Sequence, residues 1–108
     1  MIIVTTPDIH GKSINRTVGL VRGNTIRARA VGRDITAAFR NLVGGEVSEY
    51  TKLFAEAREQ ALDRMVEEAD ELGANAIVNV RFTTSMVMSG AAELMAYGTA
   101  VVVADNGE

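Results

Sequence analysis

The chain has 108 residues and a formal net charge of −3, with 47% hydrophobic and only 5% aromatic residues. That is the size of one domain, 1–108, with a core built from Val, Ile, Leu, Ala and Met. It holds no Cys, no Trp and one His, which excludes disulfides, thiolate metal sites and thiol catalysis, and it fits a reducing, cytoplasmic setting. The charge is unevenly spread: residues 1–45 carry seven Lys/Arg against two Asp/Glu, and residues 46–108 carry four against twelve. The start, Met1-Ile2-Ile3-Val4-Thr5-Thr6-Pro7, lacks the basic flank of a targeting signal, and no run nears the roughly 20 apolar residues of a membrane span.

Ile2 to Thr6 reads as a short β-branched strand stopped by Pro7, and Asp8 to Lys12 as a turn. Ser13 to Val31 alternates like a strand, in two runs divided at Arg22-Gly23-Asn24. Its second half bears an arginine face, and Gly19 marks a bulge or a close backbone approach. Asp34 caps a short helix on which Ile35, Ala38, Phe39 and Leu42 share one face, ended by Gly44-Gly45. A long helix follows over about 46–72, with Val47, Tyr50, Phe54, Ala57, Ala61, Met65, Ala69 and Leu72 stepping by threes and fours. At 1.5 Å per residue it spans about 40 Å. Its outer face is acidic, and Asp70 and Glu71 at its C-terminus oppose the helix dipole, which calls for an arginine from the front half.

Gly73 ends that helix, and two long strands follow, joined by a tight turn at Ser89-Gly90. Simple alternation puts Ala76, Val78, Val80, Phe82, Thr84, Met86 and Met88 on one face and Ile77, Asn79, Arg81, Thr83 and Ser85 on the other. On the return strand, Glu93, Met95, Tyr97, Thr99, Val101 and Val103 alternate with Ala92, Leu94, Ala96, Gly98, Ala100 and Val102. The small residues of that second row let another element pack close. One long helix covers one sheet face; a second subunit is expected on the other, unless the short helix at 34–43 covers it. The class is α+β.

In their order and spacing these segments resemble the YbjQ family, small proteins of uncharacterised function labelled as heavy-metal-binding domains. The likeness covers nearly the whole chain. It is carried by Val18-Gly19-Leu20-Val21-Arg22-Gly23, Arg33-Asp34, Asn41-Leu42-Val43-Gly44-Gly45-Glu46, Tyr50, Ala57-Arg58, Leu72-Gly73-Ala74-Asn75-Ala76, Val80-Arg81-Phe82 and Tyr97-Gly98-Thr99-Ala100-Val101. Asn79 departs from it, since the family pattern often has Gly there. The resemblance implies a dodecin-like subunit, an antiparallel sheet packed on one long helix plus a short helix, assembled into a homopentameric ring. The metal label brings no matched ligands with it.

The residues themselves offer few routes to chemistry. His10, two residues after Asp8, is half of a metal site at most, because a structural zinc centre wants four nitrogen or sulfur ligands; the plain reading is an exposed turn histidine. Met86 and Met88 could offer thioethers to Cu(I), but such pairs are more often core or interface filler. Arg81, Thr83 and Ser85 meet Glu93 and Tyr97 only in one hairpin register, and a one-residue slip reverses the faces. If they meet, they form either a small-ligand site or a Glu–Arg contact between subunits. Gly44-Gly45-Glu46 lacks the Gly-Lys-Ser/Thr of a phosphate loop, and no Gly-x-Ser-x-Gly elbow is present. An acidic chain without interleaved aromatics is a poor nucleic-acid binder, so Arg22, Arg27, Arg29 and Arg33 are expected to face the acidic helix of a neighbouring subunit. The leading expectation is a non-enzymatic ring that binds a small ligand or a metal ion between subunits. The alternative is an enzyme using Glu93, Tyr97 and Arg81, and a third reading is a purely structural assembly partner.

Overall fold

A computed structural model describes residues 1–28, 47–88 and 91–106. The short helix expected at 34–43 and the turn at Ser89-Gly90 lie outside the described residues. The described elements are β1 (Ile2–Ile3), β2 (Lys12–Ala28), α1 (Val47–Glu71), β3 (Ala76–Met88) and β4 (Ala91–Asp105). The strands form one sheet in the order β1-β3-β4-β2.

The sheet is mixed rather than antiparallel throughout. β4 runs antiparallel to both neighbours, but β1 lies parallel to β3, with Ile2 opposite Ala76 and Ile3 opposite Ile77. The intervening β2 and α1 return the chain to the same end of the sheet, so β3 starts beside β1 in the same direction. Backbone bonds prolong the contact: Val4 N–H donates to Ile77 O at 2.9 Å and Val80 N–H to Val4 O at 3.0 Å.

β2 continues straight through Arg22-Gly23-Asn24, where the sequence reads as a break between two runs. Arg22, Gly23 and Asn24 stay in register opposite Tyr97, Ala96 and Met95. Gly23 serves close approach instead. A Cβ there would stand 2.2 Å from the Ala61 carbonyl oxygen and 2.4 Å from the Met65 nitrogen. Gly19, at φ 143°, sits in one of two register shifts of the β2–β4 ladder, the bulge its sequence context predicts.

α1 ends within a residue of the expected end, and its described part begins at Val47, directly after residues that lie outside the description. Its stripe of Ala57, Ala61, Met65 and Ala69 is fully buried. Three alanines in that stripe bring the helix axis close to the sheet. The end is a Schellman motif: Ala74 N–H donates to Ala69 O and Gly73 N–H to Asp70 O, both at 3.0 Å, with Gly73 at φ 82°. Among the described residues no arginine pairs with Asp70 or Glu71, and the one ion pair is Lys12–Asp105; Arg29, Arg33 and Arg40 of the front half lie outside the described residues. Lys12 accordingly holds the Asp105 carboxyl below its ordinary value, first by hydrogen bonding and then by charge.

Asn75 fastens the exit turn to β4. Its side chain donates to Val103 O at 2.9 Å and accepts from Val103 N–H at 2.8 Å, imitating one rung of a strand ladder.

The sheet has two different faces. Under α1, Val21, Ile77, Val80, Ala96 and Ala100 pack with Ala61, Met65 and Ala69. The row of small residues on β4 is thus filled by the helix. On the opposite face, Ala76, Val78, Val101 and Val103 are covered by Ile2, Val4 and Ile9 of the N-terminal segment. The sequence expects Ile77 and Val80 on different faces, and Asn79 is why they share one. It adopts φ 54° and adds a residue to β3 between the pairs Val78–Thr99 and Arg81–Tyr97. Beyond the bulge, every β3 side chain changes face relative to simple alternation.

Candidate functional site

The bulge at Asn79 decides which side chains meet. Upstream of it, Ala76 and Val78 point away from α1; downstream of it, Arg81, Thr83 and Ser85 do. Their partners on β4 are Tyr97, Met95 and Glu93. The five residues proposed from sequence, Arg81, Thr83, Ser85, Glu93 and Tyr97, therefore share the sheet face opposite the helix. Arg81 lies directly across from Tyr97, and Ser85 across from Glu93. Neighbouring strands are about 5 Å apart, so each such pair is in side-chain reach.

β2 extends the rows across a third strand. Tyr97 is flanked by Arg81 on one side and Arg22 on the other, Met95 by Thr83 and Asn24, and Glu93 by Ser85 and Ile26. The site is thus a plaque of polar groups with an aromatic ring between two arginines, edged by Leu20 (62% exposed) and Ile26 (61% exposed). Arg22 and Asn24 are the members that sequence reasoning missed. Reading 22–24 as a break left those residues without a face. The signal was available in the unbroken alternation of Leu20, Arg22, Asn24 and Ile26.

Hydrogen bonds fix three members. Asn24 Nδ2 donates to Glu93 Oε2 at 3.0 Å. Arg81 Nη1 donates to the Thr5 carbonyl at 2.7 Å and to the Val80 carbonyl at 2.9 Å. Arg81 and Glu93 thus do not bridge within the subunit, because each is held by another partner. Tyr97 and Glu93 are half-buried, whereas Arg22, Asn24, Arg81, Thr83 and Ser85 are exposed. The plaque offers guanidinium and amide donors, hydroxyls and one carboxylate on a rigid three-strand platform. That set can bind a small polar molecule by hydrogen bonds and by stacking on Tyr97.

His10 occupies a different place. It is exposed in the turn closed by Lys12 N–H donating to Ile9 O at 3.1 Å, beside the Lys12–Asp105 end of the sheet. The ladder from Lys12–Asp105 to Arg22–Tyr97 puts roughly 30 Å between that turn and the plaque. Among the described residues, no three His, Asp or Glu side chains are gathered to hold a metal ion. Asp8 and His10 alone do not fit a heavy-metal centre within one subunit. Met86 and Met88 do not share a face either, since a register shift sets them opposite the consecutive residues Ala92 and Ala91. Of the other arginines expected in a stripe, only the backbone of Arg27 is described, and Arg29 and Arg33 lie outside the described residues. No helix among the described residues is long and apolar enough to cross a membrane.

Comparison with known proteins adds a family and a fold. A family model described as "Putative heavy-metal-binding" matches residues 1–104. A UPF0145 protein of Methanosarcina acetivorans is 58% identical over 103 residues, covering 95% of this chain and 97% of its own. One from Thermosipho africanus is 52% identical over 108 residues, the full length of both chains. A crystal structure of a protein of unknown function from Pediococcus pentosaceus, assigned to the DUF74 family, superposes with a TM-score of 0.67. That superposition covers 96% of this chain and 98% of the other at 18% identity, a likeness of fold alone.

Proposed function

Because the chain belongs to the YbjQ family, we propose that it is a non-enzymatic homo-oligomeric module, a pentameric ring of dodecin-like subunits, that binds a small polar ligand on the sheet face opposite the helix, where subunits meet. The observation that carries this reading is the register that places Tyr97 between Arg81 and Arg22, with Ser85, Glu93 and Asn24 in the adjoining rows. A flat plaque leaves one side of a ligand open to water, and a neighbouring subunit closes that side. This is why binding and assembly belong to one proposal.

Exposed apolar side chains support assembly: Leu20 is 62% exposed, Ile26 61%, Phe82 42%, Met86 68% and Met88 66%. The charge pattern also suits head-to-tail contacts, since the plaque carries Arg22 and Arg81 while the exposed side of α1 carries Glu56, Glu59, Asp63 and Glu67. A cytoplasmic setting forms part of the proposal and rests on a chain free of cysteine.

Native mass spectrometry of protein taken directly from cells tests this reading. The expected result is an oligomer carrying an extra small mass, which Tyr97→Ala and Arg22→Ala each release while the assembly stays intact. A bare oligomer refutes the ligand, and a monomer in light scattering at micromolar concentration refutes the assembly. An extra mass identified as a metal ion and lost in His10→Ala moves the site to the Asp8–His10 turn.

A further inference from the structure

The plaque is electropositive although the chain is not. The whole chain carries a formal charge of −3, and α1, on the far side of the sheet, exposes Glu56, Glu59, Asp63 and Glu67. Around Tyr97 the balance is reversed. Arg22 and Arg81 each stand one strand spacing away, about 5 Å, whereas Glu93 stands four residues along β4, about 13 Å. Potential falls inversely with distance, so two arginines at the nearer spacing outweigh that carboxylate about fivefold. Salt screens the longer interaction further. Glu93 is also engaged by Asn24 Nδ2. Glu68 reaches Arg22 through the backbone N–H, from the helix side. Among the described residues neither arginine is in an ion pair.

Arg81 is held in a way that leaves an anion fork. Its Nη1 donates to the Thr5 and Val80 carbonyls, which engages both hydrogens on that nitrogen. The other donors of the planar guanidinium sit on Nε and Nη2. Those two nitrogens form the edge that meets two oxygens of a carboxylate or phosphate side by side. Among the described residues no acceptor meets that edge. Thr5 follows Val4, which is bonded to Ile77 and Val80 of β3, so the backbone that holds the guanidinium is itself fixed. The fork is therefore set before a ligand arrives, and less side-chain freedom is lost on binding. Tyr97 offers a ring on which a flat group stacks with an offset, and Thr83, on the same face, adds an exposed hydroxyl. A cation would also be drawn to the ring face, but the guanidiniums on both sides repel it.

We infer that the ligand of this plaque is an aromatic anion: a flat ring lying over Tyr97 whose carboxylate or phosphate oxygens accept from the Nε–Nη2 edge of Arg81, with Arg22 balancing the charge from the opposite strand. The inference rests on the ligand-binding reading above and adds the chemical class of the ligand.

Titration of the full chain with naphthoate, naphthyl phosphate, naphthylmethylammonium and cyclohexanecarboxylate tests it. Calorimetry gives the affinities, and amide shifts in NMR give the site. The two naphthyl anions should bind with shifts centred on Arg22, Arg81, Thr83 and Tyr97, and the tighter of them tells carboxylate from phosphate. The ammonium, and the carboxylate without a flat ring, should each bind at least about tenfold more weakly. Arg81→Lys keeps the charge but removes the fork, and should weaken the tighter anion about tenfold with circular dichroism unchanged. Should that variant fail to fold, Arg22→Gln leaves the Thr5 and Val80 bonds alone; it should weaken the same anion severalfold and flatten the dependence on salt. Ammonium or cyclohexanecarboxylate binding at the plaque as tightly as naphthoate overturns the aromatic anion and leaves the ligand-binding reading standing. Shifts centred elsewhere, or no binding of either naphthyl anion at millimolar concentration, overturn it as well. The ligand-binding reading is then decided separately, by the small mass carried on protein taken from cells.

Discussion

Replacing Gly23 with alanine loads the helix–sheet contact where it is tightest. The added methyl would lie 2.2 Å from the Ala61 carbonyl oxygen, 2.4 Å from the Met65 nitrogen and 2.8 Å from the Arg64 Cβ. Ordinary contact needs about 3.5 Å, so α1 would have to retreat by roughly 1 Å. Two of the three obstacles are helix backbone, which no rotamer change relieves. A gap of about 1 Å forfeits up to half of the dispersion energy of each contact it opens, here along Val21, Ala61, Met65, Ala69, Ala96 and Ala100. Overpacking of this kind costs about 1–3 kcal/mol and occasionally more. The gain from stiffening a strand glycine returns about 0.5–1 kcal/mol. Because two of the obstacles are backbone, the cost falls at the upper end of that range, about 3 kcal/mol, so the expected net loss is about 2–2.5 kcal/mol, which lowers the urea midpoint by roughly 1.3–1.7 M at a slope of about 1.5 kcal/mol/M. The measurement is urea unfolding followed by far-UV circular dichroism at one fixed protein concentration, because assembly would otherwise shift the midpoint. A shift below roughly 0.3 M, corresponding to about 0.5 kcal/mol, would refute the assignment of Gly23 as the point of closest approach.

Gly98→Ala should cost less in the same assay, because its near contacts are longer: Ile77 Cγ2 at 2.8 Å, the Val78 carbonyl oxygen at 3.0 Å and Val80 Cγ2 at 3.2 Å. Asn75→Ala removes both bonds to Val103 and should destabilise by about 1–3 kcal/mol, with the Val103 amide exchanging faster while the Val101 amide is little affected. Asn79→Gly should leave stability within about 0.5 kcal/mol, whereas Asn79→Val forces a β-branched residue into the left-handed region and should cost about 1–2 kcal/mol; denaturation midpoints separate the two. The Asp105 carboxyl should titrate below the ordinary aspartate range and move back toward it in Lys12→Ala. A lowered folded-state pKa stabilises above the unfolded value and is lost as pH falls through the folded one. The wild-type advantage over Lys12→Ala should therefore be present at neutral pH and gone in strong acid, as carboxyl-resolved NMR and acid unfolding would show.

Much of the fold was legible in the chain because it rests on local physics. The three- and four-residue stepping from Val47 to Ala69 fixed the long helix, and Gly73 fixed its end in the left-handed conformation that ends it. Facing could not be read by counting twos, since one left-handed residue at Asn79 transposes everything after it. The resemblance nonetheless pointed there. A family that often has glycine at this position is one whose backbone takes positive φ, and asparagine is the residue that tolerates it next best. Gly23 misled for a related reason. Sequence alone does not separate a glycine that turns the chain from one that admits a helix. The parallel pairing of β1 is carried by two short residues and a few long-range backbone bonds, so no local pattern announces it. The candidate site inherits both lessons: Arg81, Thr83, Ser85, Glu93 and Tyr97 gather as the sequence allowed, while Arg22 and Asn24 join them only once β2 is seen to run straight.

The position of β4 has a consequence for the order in which the molecule forms. It is the last strand along the chain to enter the sheet, yet it lies inside the sheet, between β3 and β2. Lys12 finds its place only against Asp105, and Ala28 only against Ala91. β3 and β4 are neighbours in sequence and can zip together quickly, but β2 must close a loop of some sixty residues or more, which is slow and entropically costly. During synthesis, β2 and the apolar stripe of α1 emerge well before the strand that organises them. Until then they share only the contact of Val21 and Gly23 with Ala61 and Met65 and lack the rest of their core. The interval before residues 91–105 appear is when this chain most needs protection from aggregation.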